Sequence, residues 1–169
     1  MNRVTTIELS KEYMKFSAAH FTIFSAVERE RLHGHNFQVS AEITLPVGSN
    51  GMCCNYRVYK QKLDGLCREL DEYLLIPARS PHLTVREEGD YYWVRFNGEE
   101  MPFLKADTQL LPICNTTVED FSNFLLQKLV GSSEELQEYG VYQIVVRVSS
   151  GPGQSGSSQW RSGSAESWT

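Results

Sequence analysis

The chain has 169 residues, a formal net charge of −5, 41% hydrophobic residues and 22% charged residues. This length and composition are typical of a single globular domain that buries a sufficient core without disulfide or metal staples. The acidic balance argues against a general nucleic-acid binder. No long apolar run or secretory pattern is present, so we expect a cytoplasmic protein with no membrane segment.

The four cysteines, Cys53, Cys54, Cys67 and Cys114, show no CxxC spacing. Adjacent cysteines are poor partners for each other, and a domain of this size needs no disulfide framework. We therefore expect reduced thiols, none of them a zinc ligand.

Two strands are predicted near the start of the chain, over residues 4–9 and 14–21. Side chains alternate between the two faces of a strand, so every second residue of the second segment lies on one face. That face contains Met14, Phe16, Ala18 and His20.

A third strand begins at His33 and continues to Leu45 with clear alternation. His33 and His35 share the apolar face of this strand, while the opposite face is polar. An imidazole without a partner is costly on an apolar face, so the pattern indicates more than a plain core strand.

The centre of the chain predicts a helix and then a hairpin. Residues 56–72 carry apolar side chains at helical spacing, with charges between them. Residues 82–103 are typical of a hairpin, with turns expected at Gly89-Asp90 and Asn97-Gly98.

The C-terminal third predicts a helix, a strand and a tail. The helix begins near CNTTVEDF, where Thr116 and Glu119 have the spacing of a capping box. Residues 141–148 form a β-branched strand. Residues 151–169 are rich in glycine and serine and predict a flexible tail, which leaves residues 1–150 as a single domain.

This order of elements predicts an α+β fold. It consists of a four-stranded antiparallel sheet, two helices on one face and an inserted hairpin. Such a sheet leaves its edges exposed, so edge-to-edge association of several copies is expected.

Three of the four histidines, His20, His33 and His35, lie within residues 16–37. Two imidazoles at i and i+2 project side by side, and a third on a neighbouring strand completes a set of three. Three imidazoles with an open fourth position are typical of catalytic zinc, whereas structural zinc more often uses cysteines. The pattern favours a Zn²⁺ site over three separately hydrogen-bonded histidines.

The motifs FSAAH and LHGHNF, with LDEYLL, TTVED and the last strand, resemble the 6-pyruvoyltetrahydropterin synthase family. That family includes the 6-carboxytetrahydropterin synthases, and the resemblance covers most of residues 7–150. It implies that the three histidines bind Zn²⁺. It also implies the tunnelling fold, whose subunits join edge to edge into barrels.

The main branches of this family carry a cysteine four residues before HGH, where this chain has Arg29. Arginine does not deprotonate, so it cannot act as a base. The next residue, Glu30, gives ExxHGH and resembles the folate-type branch, in which glutamate replaces the cysteine. This implies a zinc-dependent lyase that converts 7,8-dihydroneopterin triphosphate into 6-hydroxymethyl-7,8-dihydropterin, with Glu30 as the base. Without a zinc site beside it, Glu30 would be interpreted as a solvated loop carboxylate.

Family members also use an Asp-His pair after the first helix to orient a proton transfer. The matching residues in LDEYLL are Asp71 and Glu72, so the aspartate is kept and the histidine is not. The resemblance implies catalytic roles for both, with Glu72 as the acid. The alternative is that Glu72 is a surface residue.

The resemblance implies that the start of the second helix binds the pterin, through Thr117 and Glu119. A carboxylate can accept both N–H donors of the pterin edge. In the capping-box interpretation, the same Glu119 side chain would instead cap the helix. A second family glutamate is replaced by Ser149 and Ser150. Its loss is expected to weaken pterin binding by about 1.5–3 kcal/mol.

These departures leave two alternatives to the leading hypothesis. One is a 6-pyruvoyl- or 6-carboxytetrahydropterin synthase acting on a related substrate. The other is a zinc-retaining pterin- or purine-binding homologue without turnover. The expected partners are a small-molecule pterin and further copies of the chain, as a hexamer or, as second choice, a tetramer.

Overall fold

The computed structural model describes residues 3–131 and 133–163. The strands and helices follow in this order: β1 (Val4–Leu9), β2 (Lys15–His20), β3 (His33–Pro46), α1 (Arg57–Leu70), β4 (Tyr73–Pro77), β5 (Thr84–Glu88), β6 (Tyr91–Phe96), β7 (Glu99–Leu104), β8 (Thr108–Leu111), α2 (Val118–Val130), α3 (Ser133–Glu138), β9 (Gln143–Gly151) and β10 (Gln154–Arg161). Within the described residues, no helix combines the length and apolar character that crossing a membrane requires.

The long strand β3 organises a seven-stranded sheet in the order β10-β9-β3-β2-β4-β8, with β1 also paired to β3. The first half of β3 pairs with β2, and its second half pairs with β1. In the β2–β3 register, His20 lies opposite His33 and Ala18 lies opposite His35. This register places the three histidines together at one end of the strand pair.

The main core lies between this sheet and the helices α1 and α2. Every second residue of β3 from Phe37 to Leu45 is buried, as the alternation predicts. Phe16 of β2 stacks on Phe37 at 5.0 Å between ring centroids, and Phe121 of α2 contacts both rings. The apolar face of β3 is thus covered by helices, and the histidine end of the same face extends beyond this core.

The predicted α+β class is confirmed, but the sheet has seven strands where four were expected. Two of the additional strands, β4 and β8, join through parallel pairs, β2 with β4 and β4 with β8. Both are short and have partners that are distant in sequence, so local alternation does not reveal them. The sheet is therefore mixed and not purely antiparallel.

The inserted hairpin is a three-stranded sheet, β5-β6-β7, with turns at Gly89-Asp90 and Asn97-Gly98 as predicted. It packs on the opposite face of the main sheet from the helices. Along β4, Leu75 contributes to the helix-side core, while Leu74 and Ile76 pack with Val94 and Phe96 of β6. Successive residues of one strand thus contribute to two separate cores.

The prediction of a flexible tail from residue 151 is wrong for residues 154–161, because these form β10 and pair antiparallel with β9. Gly156 lies so close to α2 that an added Cβ would be 2.9 Å from the carbonyl carbon of Val118. Ser158 bonds to Ser122 of α2 at 2.9 Å, and Trp160 packs against the main core. Small residues here permit close helix packing and do not indicate mobility; residues 164–169 lie outside the described part.

The capping-box prediction is also wrong. The N-cap of α2 is Thr117, whose hydroxyl accepts from the Asp120 N–H. Thr116 is instead fully buried, and its hydroxyl donates to the Phe21 carbonyl at 2.8 Å. The Asp120 carboxylate accepts from the N–H groups of Cys114 and Asn115 at 2.9 and 2.8 Å, so the cap does not use the Glu119 side chain.

A further short helix, α3, follows α2 and was not predicted.

Candidate metal centre and substrate cavity

The three histidines form a compact cluster on β2 and β3. One ring nitrogen from each of His20, His33 and His35 lies within 4.8 Å of the others. The Nε2 atoms of His33 and His35 are 3.1 Å apart. Two nitrogens bound to one tetrahedral zinc at the usual distances would be about 3.3 Å apart. The described residues thus contain a group that could hold a metal ion.

Two of the imidazoles are held through their other nitrogen. His20 Nδ1 donates to the carbonyl oxygen of Thr116 at 2.8 Å, and His33 Nδ1 donates to that of Arg31 at 2.7 Å. A carbonyl only accepts, so in these rings Nδ1 carries the hydrogen and Nε2 has the free lone pair. His20 Nε2 is buried without a hydrogen-bond partner. A buried polar atom of this kind costs free energy unless a ligand satisfies it, which fits a metal ion.

The protonation of His20 also suits a metal ligand. Burial lowers the pKa of this imidazole below its ordinary value, since desolvation penalises the charged ring. The hydrogen bond to the Thr116 carbonyl opposes this effect, while His33 and His35 add to it by repulsion. The ring is therefore neutral at neutral pH, as a metal ligand must be.

Glu30 lies beside the cluster, held by the backbone of Thr22. The N–H of Thr22 donates to Glu30 Oε2 at 2.9 Å, and the N–H of Glu30 donates to the Thr22 carbonyl at 2.8 Å. Glu30 Oε2 is 4.0 Å from His33 Nε2. Burial raises the pKa of this carboxyl, but the hydrogen bonds from Thr22 and the positive charges that His33 and His20 carry when protonated outweigh it, so the pKa lies below its ordinary value.

A cavity of about 250 Å³ opens over this cluster. It is lined by His20, Thr22, Phe24, Glu30, His35, Phe37, Thr116, Thr117, Val118, Glu119, Ser150 and Gln154. Both predicted substrate-binding residues, Thr117 and Glu119, thus lie in the same cavity as the histidines and Glu30. Glu119 has no part in the helix cap, so its carboxylate is available to a ligand.

The structure does not bring Asp71 and Glu72 into this cavity. Asp71 is the C-cap of α1, and its carboxylate accepts from the N–H of Ser17 at 2.7 Å. Glu72 has a φ of 64°, and its N–H donates to the Ser17 carbonyl. Glu72 lines a second, more open depression with Asn36 and Asp107, and this depression reaches the histidine cavity only at His35.

Several residues in or beside the cavity were given no role there from the sequence. Asn115 clamps the segment after His20 by accepting from the Ile23 N–H at 3.0 Å and donating to the Ile23 carbonyl at 2.8 Å. Gln154, the first residue of β10, lines the cavity although it lay within the predicted tail, and Ser150 near the end of β9 lines it where the resemblance implied a family glutamate. Exposed Phe24 at the cavity mouth lies in a loop with no periodic pattern.

Comparisons with known proteins agree with this fold. A Methanocaldococcus jannaschii protein, provisionally assigned as a 6-carboxy-5,6,7,8-tetrahydropterin synthase, is 25% identical over 142 residues, covering 83% of this chain and 86% of the relative. The crystal structure of the 6-pyruvoyl tetrahydropterin synthase of Plasmodium vivax is 25% identical and superposes with a TM-score of 0.89, covering 95% of this chain and 99% of that chain.

Two further structures of the P. vivax enzyme are of catalytic-residue mutants, with a glutamate changed to alanine or to cysteine. Each is 24% identical to this chain, with a TM-score of 0.89, and covers 95% of this chain and 99% of that chain. These likenesses confirm the fold that the sequence resemblance implied. The model of the 6-pyruvoyl tetrahydropterin synthase family matches residues 8–155, and the chain therefore belongs to that family.

Proposed function

We propose that the protein is a zinc-dependent lyase that converts 7,8-dihydroneopterin triphosphate into 6-hydroxymethyl-7,8-dihydropterin. The observation that carries this proposal is the pairing of the three-histidine cluster with a carboxylate, Glu30 Oε2, at 4.0 Å from His33 Nε2. The P. vivax relative, in which a glutamate is a catalytic residue, supports a catalytic role for a glutamate in this chain.

His20, His33 and His35 would hold the zinc through their converging ring nitrogens. Bound zinc would lower the pKa of hydroxyls on the substrate side chain. With two Nδ1 atoms fixed by backbone carbonyls, the rings need little reorganisation to bind the ion.

Glu30 would act as the general base. Its depressed pKa keeps the carboxylate ionised at neutral pH, and two bonds with Thr22 fix its position. It would take the proton of the outer side-chain hydroxyl, whose oxygen becomes an aldehyde as the neighbouring carbon–carbon bond breaks. The electron pair passes into the pterin imine, and protonation of the remaining carbon then gives the hydroxymethyl product.

Glu119 would bind the pterin ring. A carboxylate at this position can accept the two adjacent N–H donors of the aminopyrimidinone edge. Ser150 and Gln154 supply neutral hydrogen-bonding groups to the same cavity and would contribute more weakly than a second carboxylate. Thr117 lines the cavity beside them, although its hydroxyl already accepts from the backbone of Asp120.

Asp71 and Glu72 remain our candidates for the final protonation, but within one chain neither lines the cavity that contains Glu30, and Glu72 lines the second depression. Under this proposal they act from a neighbouring subunit. The strands β10 and β8 are the ends of the sheet, and their free edges would support a homo-oligomer, most simply a hexamer, with a tetramer as second choice.

Incubation with 7,8-dihydroneopterin triphosphate and mass analysis of the products tests this proposal. We expect 6-hydroxymethyl-7,8-dihydropterin from the zinc-loaded protein and no product after zinc removal. A 6-carboxy product would instead support the alternative that the name of the M. jannaschii relative suggests, and a 6-pyruvoyl product the one that the name of the P. vivax relative suggests. Binding without turnover would identify a non-catalytic homologue.

A further inference from the structure

Arg29 occupies the position of the family cysteine, but its side chain contacts the inserted sheet instead of lining the histidine cavity. The guanidinium carbon lies 4.9 Å from the centroid of the Phe21 ring and 5.7 Å from that of Phe96 on β6. One terminal nitrogen donates to Met101 Sδ on β7 at 3.3 Å. The other donates to the backbone carbonyl of Glu30 at 2.8 Å.

Glu30 is also hydrogen-bonded to the backbone of Thr22, on the same loop. The N–H of Glu30 donates to Thr22, and the N–H of Thr22 donates back to the Glu30 carboxylate. Ile23 and Arg29 form an isolated β-bridge that closes the loop above these contacts. These bonds join the two ends of the loop to each other. They do not attach the loop to the rest of the protein.

The loop has little apolar packing at its tip. Phe24 and Val27 are exposed by 59% and 71%. Asn115 holds the Ile23 side of the loop through two backbone hydrogen bonds. On the Glu30 side, Arg29 attaches the loop through its contacts with Phe21, Phe96 and Met101.

From these contacts we infer that Arg29 is a positioning residue, which anchors the Glu30 backbone to the inserted β5-β6-β7 sheet and so fixes its carboxylate beside the histidines. The inference rests on the proposed function in so far as Glu30 is the base. It assigns the inserted sheet a part in organising the cavity. It also gives a reason for arginine at this position, since the guanidinium contacts both the inserted sheet and the Glu30 carbonyl.

Arginine suits this place for a geometric reason. Its planar guanidinium can lie over aromatic rings and donate from separate nitrogens, here to a carbonyl and to a sulfur. Lysine would retain the charge, but its donors all lie on a single nitrogen, so it could not make all these contacts. Methionine would retain the apolar packing and lose every donor. Comparing the two variants therefore separates the effect of the hydrogen bonds from the effect of packing.

The test compares Arg29→Met and Arg29→Lys with the wild type and with Arg86→Met. Arg86 lies on β5, with its guanidinium carbon 5.5 Å from the Trp93 ring centroid and with Glu88 and Glu100 as ion-pair partners. It is an arginine on an aromatic ring of the same inserted sheet, and none of these contacts involves Glu30. The measurements are zinc content, thermal unfolding, kcat and KM on 7,8-dihydroneopterin triphosphate, and exchange of the Thr22 amide hydrogen by NMR.

We expect Arg29→Met to retain one zinc, to lower kcat by about 10- to 100-fold as expected for a displaced catalytic group, and to change KM little. The Thr22 amide should exchange about tenfold faster or more, because its carboxylate acceptor is less well held. Arg29→Lys should recover part of both effects, and Arg86→Met should match the wild type. Unchanged Thr22 exchange in Arg29→Met, or equal effects in Arg29→Met and Arg86→Met, would overturn the inference.

If the wild type itself shows no turnover, the proposed function fails, but the exchange measurement still decides whether Arg29 anchors the loop. If Arg29→Met does not fold, Phe96→Leu removes one aromatic ring from the same contact. That variant should accelerate Thr22 exchange in the same direction and by a smaller factor. Exchange at the wild-type rate in both Arg29→Lys and Phe96→Leu would then contradict the inference.

Discussion

The histidine cavity and the second depression, which both include His35 in their lining, differ in what their polar groups contact. In the histidine cavity, the polar groups converge: His20 Nε2 is buried without a partner, and Glu30 lies 4.0 Å from His33. In the second depression, Glu72 lines an open surface, and the neighbouring Asp71 carboxylate is already bound to the Ser17 N–H. One chain therefore contains the proposed metal ligands and the proposed base side by side. The groups predicted to complete the proton transfer lie on a surface that a second subunit could bring to another cavity.

The strongest test of the histidine side of this comparison is the His33→Ala/His35→Ala double variant. It removes two of the three ligands, so we expect loss of bound zinc and of all measurable turnover. Metal analysis of the purified protein is the measurement, and His82→Ala is the control, because His82 lies outside the cluster. Wild-type zinc content in the double variant would remove the metal centre from the proposal.

Glu30→Gln tests the base while leaving the three ligands in place. The amide is nearly isosteric and its oxygen can still accept from the Thr22 N–H, so fold and zinc content should be retained. We expect kcat to fall by about 10²–10⁴-fold, the usual effect of losing a general base. Steady-state kinetics on 7,8-dihydroneopterin triphosphate measure this, and unchanged kcat would exclude Glu30 as the base.

Mixing two inactive variants tests whether the depressions of different subunits cooperate. Asp71→Asn keeps an oxygen that accepts from Ser17, but loses the charge. In an equal mixture of Asp71→Asn and Glu30→Gln subunits, about a quarter of the interfaces should combine an intact Glu30 with an intact Asp71 from the partner. Reassembly should therefore restore activity at about a quarter of the interfaces.

The matched control mixes Glu30→Gln with the His33→Ala/His35→Ala double variant. Both defects lie in the same cavity, so no combination of these subunits contains a complete site. Recovery in this control, or none in the first mixture, would contradict the division of the machinery between subunits. Light scattering on the same samples would give the number of subunits.

The sequence predicted the histidine side of the molecule well because its determinants are local. Alternation predicted which faces of residues 14–21 and 33–45 carry the histidines, and the register of β2 with β3 places His20 opposite His33. The strands β4 and β8 were missed because parallel pairing depends on contacts distant in sequence. The strand β10 was missed because glycine and serine composition resembles a linker, and the helix that requires small residues there is not visible in the pattern.

A substitution near the end of β9 is expected to produce a gain of function. Ser150→Glu would place in the cavity the second carboxylate that the family resemblance implies, near Glu119. We expect tighter pterin binding by up to about 1.5–3 kcal/mol, the typical contribution of a hydrogen bond to a charged group. Calorimetry with a pterin ligand measures it, with Ser157→Glu as the control, since exposed Ser157 lies on the same hairpin outside the cavity. An equal effect of the two substitutions would indicate a general charge effect.

The smallest expected change concerns the contact between β10 and the start of α2. A Cβ on Gly156 would lie 2.9 Å from the Val118 carbonyl carbon and 3.0 Å from the Glu119 nitrogen, both of them backbone atoms that cannot rotate away. Gly156→Ala must therefore displace the first turn of α2, with a loss of about 1–3 kcal/mol in the free energy of unfolding. Gly151→Ala is the matched control, because nothing lies within 4 Å of its added Cβ.

Since the displaced turn carries Glu119, KM for the pterin substrate should rise in Gly156→Ala while zinc content stays constant. Equal thermal stability of the two alanine variants would show that β10 does not constrain this wall of the cavity.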